Sequence, residues 1–77
     1  MDIKSELKSC ISERLESVAS PIFMKKALVA IEEAPDEREA LTAAADKVGK
    51  MVSLFINKEL GKEIYKKLTE KIEEEIP

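Results

Sequence analysis

The sequence predicts an all-α protein, a compact bundle of four helices with short connections, and three features indicate it. Apolar residues recur every three or four positions through most of the 77 residues, the spacing that places side chains on one face of a helix. No stretch alternates apolar and polar residues convincingly, and no Asn-Gly or Asp-Gly pair marks a hairpin. Proline, glycine and small polar residues separate the periodic segments. We therefore expect a single helical domain over residues 1–77.

The first predicted helix covers residues 3–18. Its apolar residues step by three and four from Ile3 to Val18, so we expect them on one face. Asp2 is the expected N-cap, because its carboxylate can accept hydrogen bonds from the free amides of a first turn.

The second predicted helix covers residues 21–34. Ser20 is suited to cap it, and Pro21 fits the first helical position, where the missing N–H would be unpaired anyway. Pro35 ends the helix, because the residue before a proline is pushed out of the helical region.

This second helix is apolar on nearly every side. Ile22 and Val29 lie one heptad apart on the side that otherwise carries its charges. A helix that is apolar nearly all round is buried on several sides. We therefore expect it at the centre of the bundle or in an interface between subunits.

The third predicted helix covers residues 37–60. Asp36 and Glu39 have the spacing of a capping box at its start. Gly49 weakens its middle by about 1 kcal/mol relative to alanine, and marks either a kink or a close crossing with another helix. Leu54 falls outside the apolar stripe. The stripe itself consists of Leu41, Ala44, Val48, Met51 and Phe55.

The fourth predicted helix covers residues 62–76. We expect Gly61 to end the preceding helix, since glycine takes the left-handed cap conformation without penalty. The alternative is that Asn57 caps the last helix and Gly61 lies inside its first turns. The apolar stripe here is Ile64, Leu68, Ile72 and Ile76.

The composition argues against a catalytic, metal or cofactor site. The chain has no histidine, and its one cysteine is Cys10, so histidine-based catalysis and a zinc ligand set are excluded. Its two glycines cannot form a phosphate-binding loop. The acidic residues between helices two and three are explained by helix capping, and Cys10 by packing as a small apolar residue. We expect no enzymatic activity, cofactor or metal.

The chain offers no membrane-spanning segment. Its longest apolar run is residues 27–31, whereas about 20 residues are needed to cross a bilayer. The first residues are acidic where a signal peptide is basic and then apolar. We expect a cytoplasmic protein that does not associate with membranes.

The lysines are concentrated in residues 47–71, although the whole chain has a net charge of −3. A basic segment of this kind can contact the phosphates of nucleic acids. The residues expected to do so are Lys47, Lys50, Lys58, Lys62, Lys66 and Lys67. They alternate with glutamates, and the segment has no arginine, the preferred reader of base edges. Nucleic-acid binding is therefore the alternative function and not the first one.

The first expectation is a non-enzymatic interaction module that associates with itself as a homodimer, or with another helical protein. Ile22, Val29 and Leu54 do not fit burial on a single helical face, and clustered apolar residues on a surface mark a site for a partner. These three residues are the predicted interface.

The junction at residues 18–22, Val-Ala-Ser-Pro-Ile, and the helices that follow resemble short helical modules appended to prokaryotic signalling proteins. The likeness implies a prokaryotic protein. It covers only a few residues, and no functional residue is transferred from it.

Overall fold

The computed structural model describes residues 2–76, and over this range the chain forms four α-helices and no strand. The helices are α1 (Ile3–Leu15), α2 (Pro21–Glu33), α3 (Arg38–Phe55) and α4 (Lys58–Glu75). The predicted all-α bundle of four helices is confirmed. In this part of the chain, none of the helices has the length and apolar character needed to cross a bilayer.

The helices form an antiparallel ring in which each contacts its two neighbours, and α3 and α4 have the most extensive contact. Lys4 at the start of α1 donates to the carbonyl of Glu32 at the end of α2, at 3.0 Å. Phe23 at the start of α2 meets Phe55 at the end of α3, with ring centroids 6.3 Å apart. Successive helices therefore run in opposite directions.

The core is built from one apolar stripe of each helix, as the spacing predicts. The helices contribute different numbers of buried residues to the core: α2 supplies only Ala27 and Ile31, whereas α3 supplies five residues. The buried set is Leu7, Ile11, Leu15, Ala27, Ile31, Leu41, Ala44, Ala45, Val48, Val52, Ile64, Leu68 and Ile72.

Helix α1 ends at Leu15, three residues before the predicted end at Val18. The amides of Val18 and Ala19 both donate to the carbonyl of Leu15, at 3.1 and 2.9 Å, so the chain closes into a turn. The turn is needed because Ser20 is held extended before a proline. Asp2 occupies the N-cap position as predicted, but its carboxylate makes no capping hydrogen bond.

Helix α2 begins as predicted. The hydroxyl oxygen of Ser20 accepts a hydrogen bond from the amide of Phe23 at 3.2 Å, and Pro21 is the first helical residue. The helix ends at Glu33, because Ala34 is extended before Pro35.

The predicted capping box at the start of α3 is wrong. The N-cap residue is Glu37, and its side chain makes no capping hydrogen bond. The amide of Glu37 donates to the carbonyl of Pro35 at 2.8 Å, a three-residue turn that moves Asp36 out of the N-cap position. Helix α3 therefore begins at Arg38.

The predicted break at Gly61 is also wrong, and the alternative with Asn57 as the cap is observed. Helix α3 ends at Phe55, Asn57 is extended, and its side-chain oxygen accepts from the amide of Leu60 at 3.0 Å. Gly61 lies buried inside the first turns of α4. The side chain of Asn57 caps the start of α4, so the boundary between α3 and α4 does not depend on a left-handed glycine at position 61.

Gly61 is explained by a close crossing of α3 and α4. A Cβ atom added to Gly61 would lie 2.6 Å from the carbonyl oxygen of Gly49 and 2.8 Å from the amide nitrogen of Ser53. Both atoms belong to the backbone of α3 and cannot move aside cheaply. Gly49 thus marks a helix crossing, one of the two roles expected for it, and Gly61 is its partner on α4.

Candidate interaction surface

Large apolar side chains are exposed mainly at one end of the bundle, where α1 and α3 finish and α2 begins. Four of the six exposed large apolar residues belong to this region, which we call the apolar end: Val18, Ile22, Leu54 and Phe55. The other two, Val29 and Tyr65, lie further along α2 and α4. Exposed apolar residues are common singly, but a group of this kind is typical of an interaction surface.

The outer side of α2 forms a ridge, which we call the α2 ridge, made of Ile22, Lys25 and Val29. A groove of about 580 Å³ separates it from α3 and is lined by all three residues and by Met51 and Lys47 of α3. The groove therefore combines apolar side chains with lysines and with one carboxylate, Glu33.

A second groove, of about 500 Å³, lies on the other side of the α2 ridge, next to α1. Lys25 and Val29 line this groove as well, together with Met24 and Leu28. A ridge with a groove on each side is the shape by which one helix packs against another.

The structure brings the three predicted interface residues to one side of the molecule. Ile22 is 71% exposed and Val29 is 39% exposed, and both line the α2–α3 groove. Leu54 is 79% exposed and lies two helical turns beyond Lys47, a residue of the same groove. Helix α2 is therefore not at the centre of the bundle.

Phe55 was expected in the core stripe, and this expectation is wrong. Its side chain is 74% exposed, although its ring meets Phe23 edge to face. The reason is the early end of α3, because Phe55 is the last helical residue before the Asn57 cap. An asparagine two residues later is the signal in the sequence that could have revealed this.

The opposite end of the bundle is strongly acidic. It combines the end of α2, the start of α3 and the end of α4, and we call it the acidic end. Its acidic residues are Glu32, Glu33, Asp36, Glu37, Glu39, Glu73, Glu74 and Glu75.

Part of this charge is neutralised by α1. The ammonium of Lys8 lies 2.6 Å from the Glu32 carboxylate. The hydrogen bond and the charge of Lys8 hold the pKa of Glu32 below its usual value. In contrast, Lys25, Lys26 and Glu33 have no ion pair with any residue between 2 and 76.

The lysines predicted to contact nucleic acids are distributed over several sides of the bundle. Lys47 lines the α2–α3 groove, whereas Lys67 lies between α1 and α4. Lys50 is paired with Asp46 at 3.0 Å and lies beside Lys62 at the α3–α4 crossing. The exposed residues Lys58 and Lys66 belong to α4. The set does not form a single stripe.

Cys10 is half-buried between α1 and α4. Burial raises the pKa of its thiol, and the nearby charge of Arg14 opposes this effect only in part. A thiol with a raised pKa forms less of the nucleophilic thiolate. Across residues 2–76, histidine, cysteine and carboxylate side chains form no group of three that could hold a metal ion.

Comparison with protein-family models, with curated proteins and with solved structures finds no match for this chain.

Proposed function

We propose that this protein is a non-enzymatic interaction module that associates with itself as a homodimer, using the α2 ridge and the adjoining surface of α3. The observation that carries the proposal is the exposure of Ile22 and Leu54 on the same side of the bundle. Both are large apolar residues, and burying such a side chain is worth about 1.5–3 kcal/mol.

The surface chemistry supports a protein partner. The α2–α3 groove is lined by both apolar and charged side chains, and protein interfaces combine the same two kinds of residue. A second copy of the chain is always present at the same concentration and offers the same apolar surface.

Sedimentation equilibrium from micromolar to millimolar concentration tests the proposal. We expect the wild-type chain to shift from monomer to dimer. Ile22→Glu and Leu54→Glu should each reduce dimerisation strongly, because a buried unpaired carboxylate is costly. Both positions are exposed in the single chain, so the variants should fold normally, as circular dichroism would show.

The control is Lys66→Glu, which places the same carboxylate on an exposed position of α4 away from this surface. It should dimerise like the wild type. A wild-type chain that remains a monomer over the whole range would refute the proposal.

The alternative function is nucleic-acid binding through the lysines of residues 47–71. A gel-shift experiment with mixed DNA and RNA at low salt distinguishes it from self-association. Binding through these lysines would be strongest at low salt, because it releases counterions. If the interaction module is the correct function, we expect no shift. A shift that is lost in Lys62→Glu would favour the alternative.

A further inference from the structure

The α2 ridge has a charge order that matches a second, antiparallel copy of itself. Lys25 lies one turn before Val29 and Glu33 lies one turn after it, so the two charges are equally distant from Val29 on the same side of the helix. Glu32 takes no part in this pattern, because its carboxylate is paired with Lys8 of the same chain at 2.6 Å. A two-fold axis that crosses the helix at Val29 would therefore place Lys25 of each copy opposite Glu33 of the other.

These charges are available for a partner. Lys25, Lys26 and Glu33 are exposed, and none forms an ion pair over residues 2–76. Lys25 and Glu33 are eight residues apart, about 12 Å along the helix axis, so they cannot neutralise each other within one chain. In an antiparallel pair of α2 helices, Lys25 of the first copy faces Glu33 of the second, and Lys25 of the second faces Glu33 of the first.

Helix α3 carries a second symmetric pattern on the same surface. Ala40, Lys47 and Leu54 are spaced by seven residues and lie on one side of the helix. Antiparallel pairing centred on Lys47 would set the exposed side chain of Leu54 against the small side chain of Ala40 from the other copy. The apolar end of each chain would thus be covered by the start of α3 in its partner.

The charges disfavour the other way of pairing two such surfaces. If both copies pointed in the same direction, Ile22 would meet Leu54 of the partner. In that register Lys25 would lie opposite Met51 and Glu33 opposite Ala43, so neither charge would face an opposite one. The parallel arrangement therefore gains no attraction between these charges across the interface. In the antiparallel arrangement Lys25 meets Glu33, and Lys47 alone faces a like charge, its own copy at the two-fold axis.

We propose that two copies of this chain pair through the α2 ridge as an antiparallel, two-fold symmetric dimer centred on Val29, with Lys25 of each copy facing Glu33 of the other. This inference rests on the proposed self-association and adds its geometry. An isologous interface of this kind closes on itself and stops at two chains.

Charge exchange tests the geometry. Lys25→Glu and Glu33→Lys should each weaken the dimer, by on the order of tenfold in Kd, since each change removes two exposed ion pairs and creates two repulsions. The double variant Lys25→Glu with Glu33→Lys should recover most of the wild-type affinity, because the pairs re-form with their signs exchanged. Lys66→Glu is the matched control and should leave Kd unchanged.

Disulfide formation measures the register independently. In a Cys10→Ser background, Val29→Cys should cross-link two chains on oxidation, because the two-fold axis brings this position next to itself and a disulfide needs Cα atoms within about 7 Å. Ile22→Cys is the control and should not cross-link, since its two copies would lie at opposite ends of the interface.

The outcomes separate the two proposals. A wild-type monomer would refute the self-association itself. A wild-type dimer whose charge-exchanged double variant stays weak, or which cross-links at position 22 and not at 29, would refute only the antiparallel geometry.

Discussion

Helices α2 and α4 show how differently apolar residues are used in one small bundle. Eight of the thirteen residues of α2 are apolar, not counting its proline, yet only Ala27 and Ile31 are fully buried. Helix α4 is far more polar, yet it buries Ile64, Leu68 and Ile72 completely. Burial follows the spacing of apolar residues and not their number, and on α2 the large apolar side chains of Ile22 and Val29 remain exposed.

Two isoleucines of α2, one buried and one exposed, should respond very differently to the same substitution. Ile31→Ala should cost about 3 kcal/mol of unfolding free energy, because the side chain is fully buried. Ile22→Ala should change it by less than about 0.5 kcal/mol in the monomer. Urea denaturation at a concentration below dimerisation measures both. Equal effects would show that Ile22 is sheltered within its own chain.

The contact of α4 with α3 can be tested at the helix crossing. Gly61→Ala should destabilise the fold by about 2 kcal/mol, because the added methyl group would collide with the backbone of α3. Gly49→Ala is the matched control with a smaller cost, since its new Cβ atom would lie 3.0 Å from the Cβ of Tyr65 and the helix gains about 1 kcal/mol from alanine. Thermal denaturation of the two variants ranks them. A Gly61→Ala protein as stable as the wild type would contradict the crossing.

Loss of the N-cap of α4 should destabilise the fold by a smaller amount. Asn57→Ala should cost about 1 kcal/mol through loss of the hydrogen bond to the amide of Leu60. Asn57→Ser retains a capping oxygen and should lose less. If the two variants are equally stable in urea, the cap at Asn57 does not contribute.

The smallest effect concerns the contact of α2 with α1. Lys8 lowers the pKa of Glu32 in the folded protein, so the pair stabilises the fold at pH values above the usual glutamate pKa of 4.5. This contribution is lost as the pH falls through the lowered pKa of the folded state. Glu32→Gln should therefore melt slightly below the wild type at neutral pH, and the difference should shrink in acid.

The control for this pair is Glu33→Gln. Glu33 has no ion pair within residues 2–76. Below the dimerisation concentration, the difference in melting temperature between Glu33→Gln and the wild type should therefore not shrink in acid as it does for Glu32→Gln. A gap between wild type and Glu32→Gln that stays constant through the acid range would contradict the role of Lys8.

The number and order of helices could be predicted from the sequence because each helix has one clear stripe. The stripes Leu7-Ile11-Leu15 and Ile64-Leu68-Ile72 are buried as the spacing requires. The start of α2 was equally clear, because Ser20 and Pro21 act locally and need no tertiary contact.

The boundary between α3 and α4 could not be decided from local rules. Glycine serves both as a helix stop and as a place for close packing, and only the position of the facing helix distinguishes the two at Gly61.

The candidate surface was predictable in part. Ile22, Val29 and Leu54 were identified by their deviation from the stripes, but Phe55 follows the stripe and is exposed only because α3 ends there.

The connection between α3 and α4 has a kinetic consequence. Only residues 56 and 57 separate these helices, whereas residues 16–20 separate α1 from α2. A short loop closes at little entropic cost, and nearby contacts form first during folding. We expect the α3–α4 hairpin to be the folding nucleus, with φ-values near one for Val48 and Leu68 and near zero for Leu7. Helices α1 and α2, and with them the α2 ridge, would then pack onto a hairpin that has already formed.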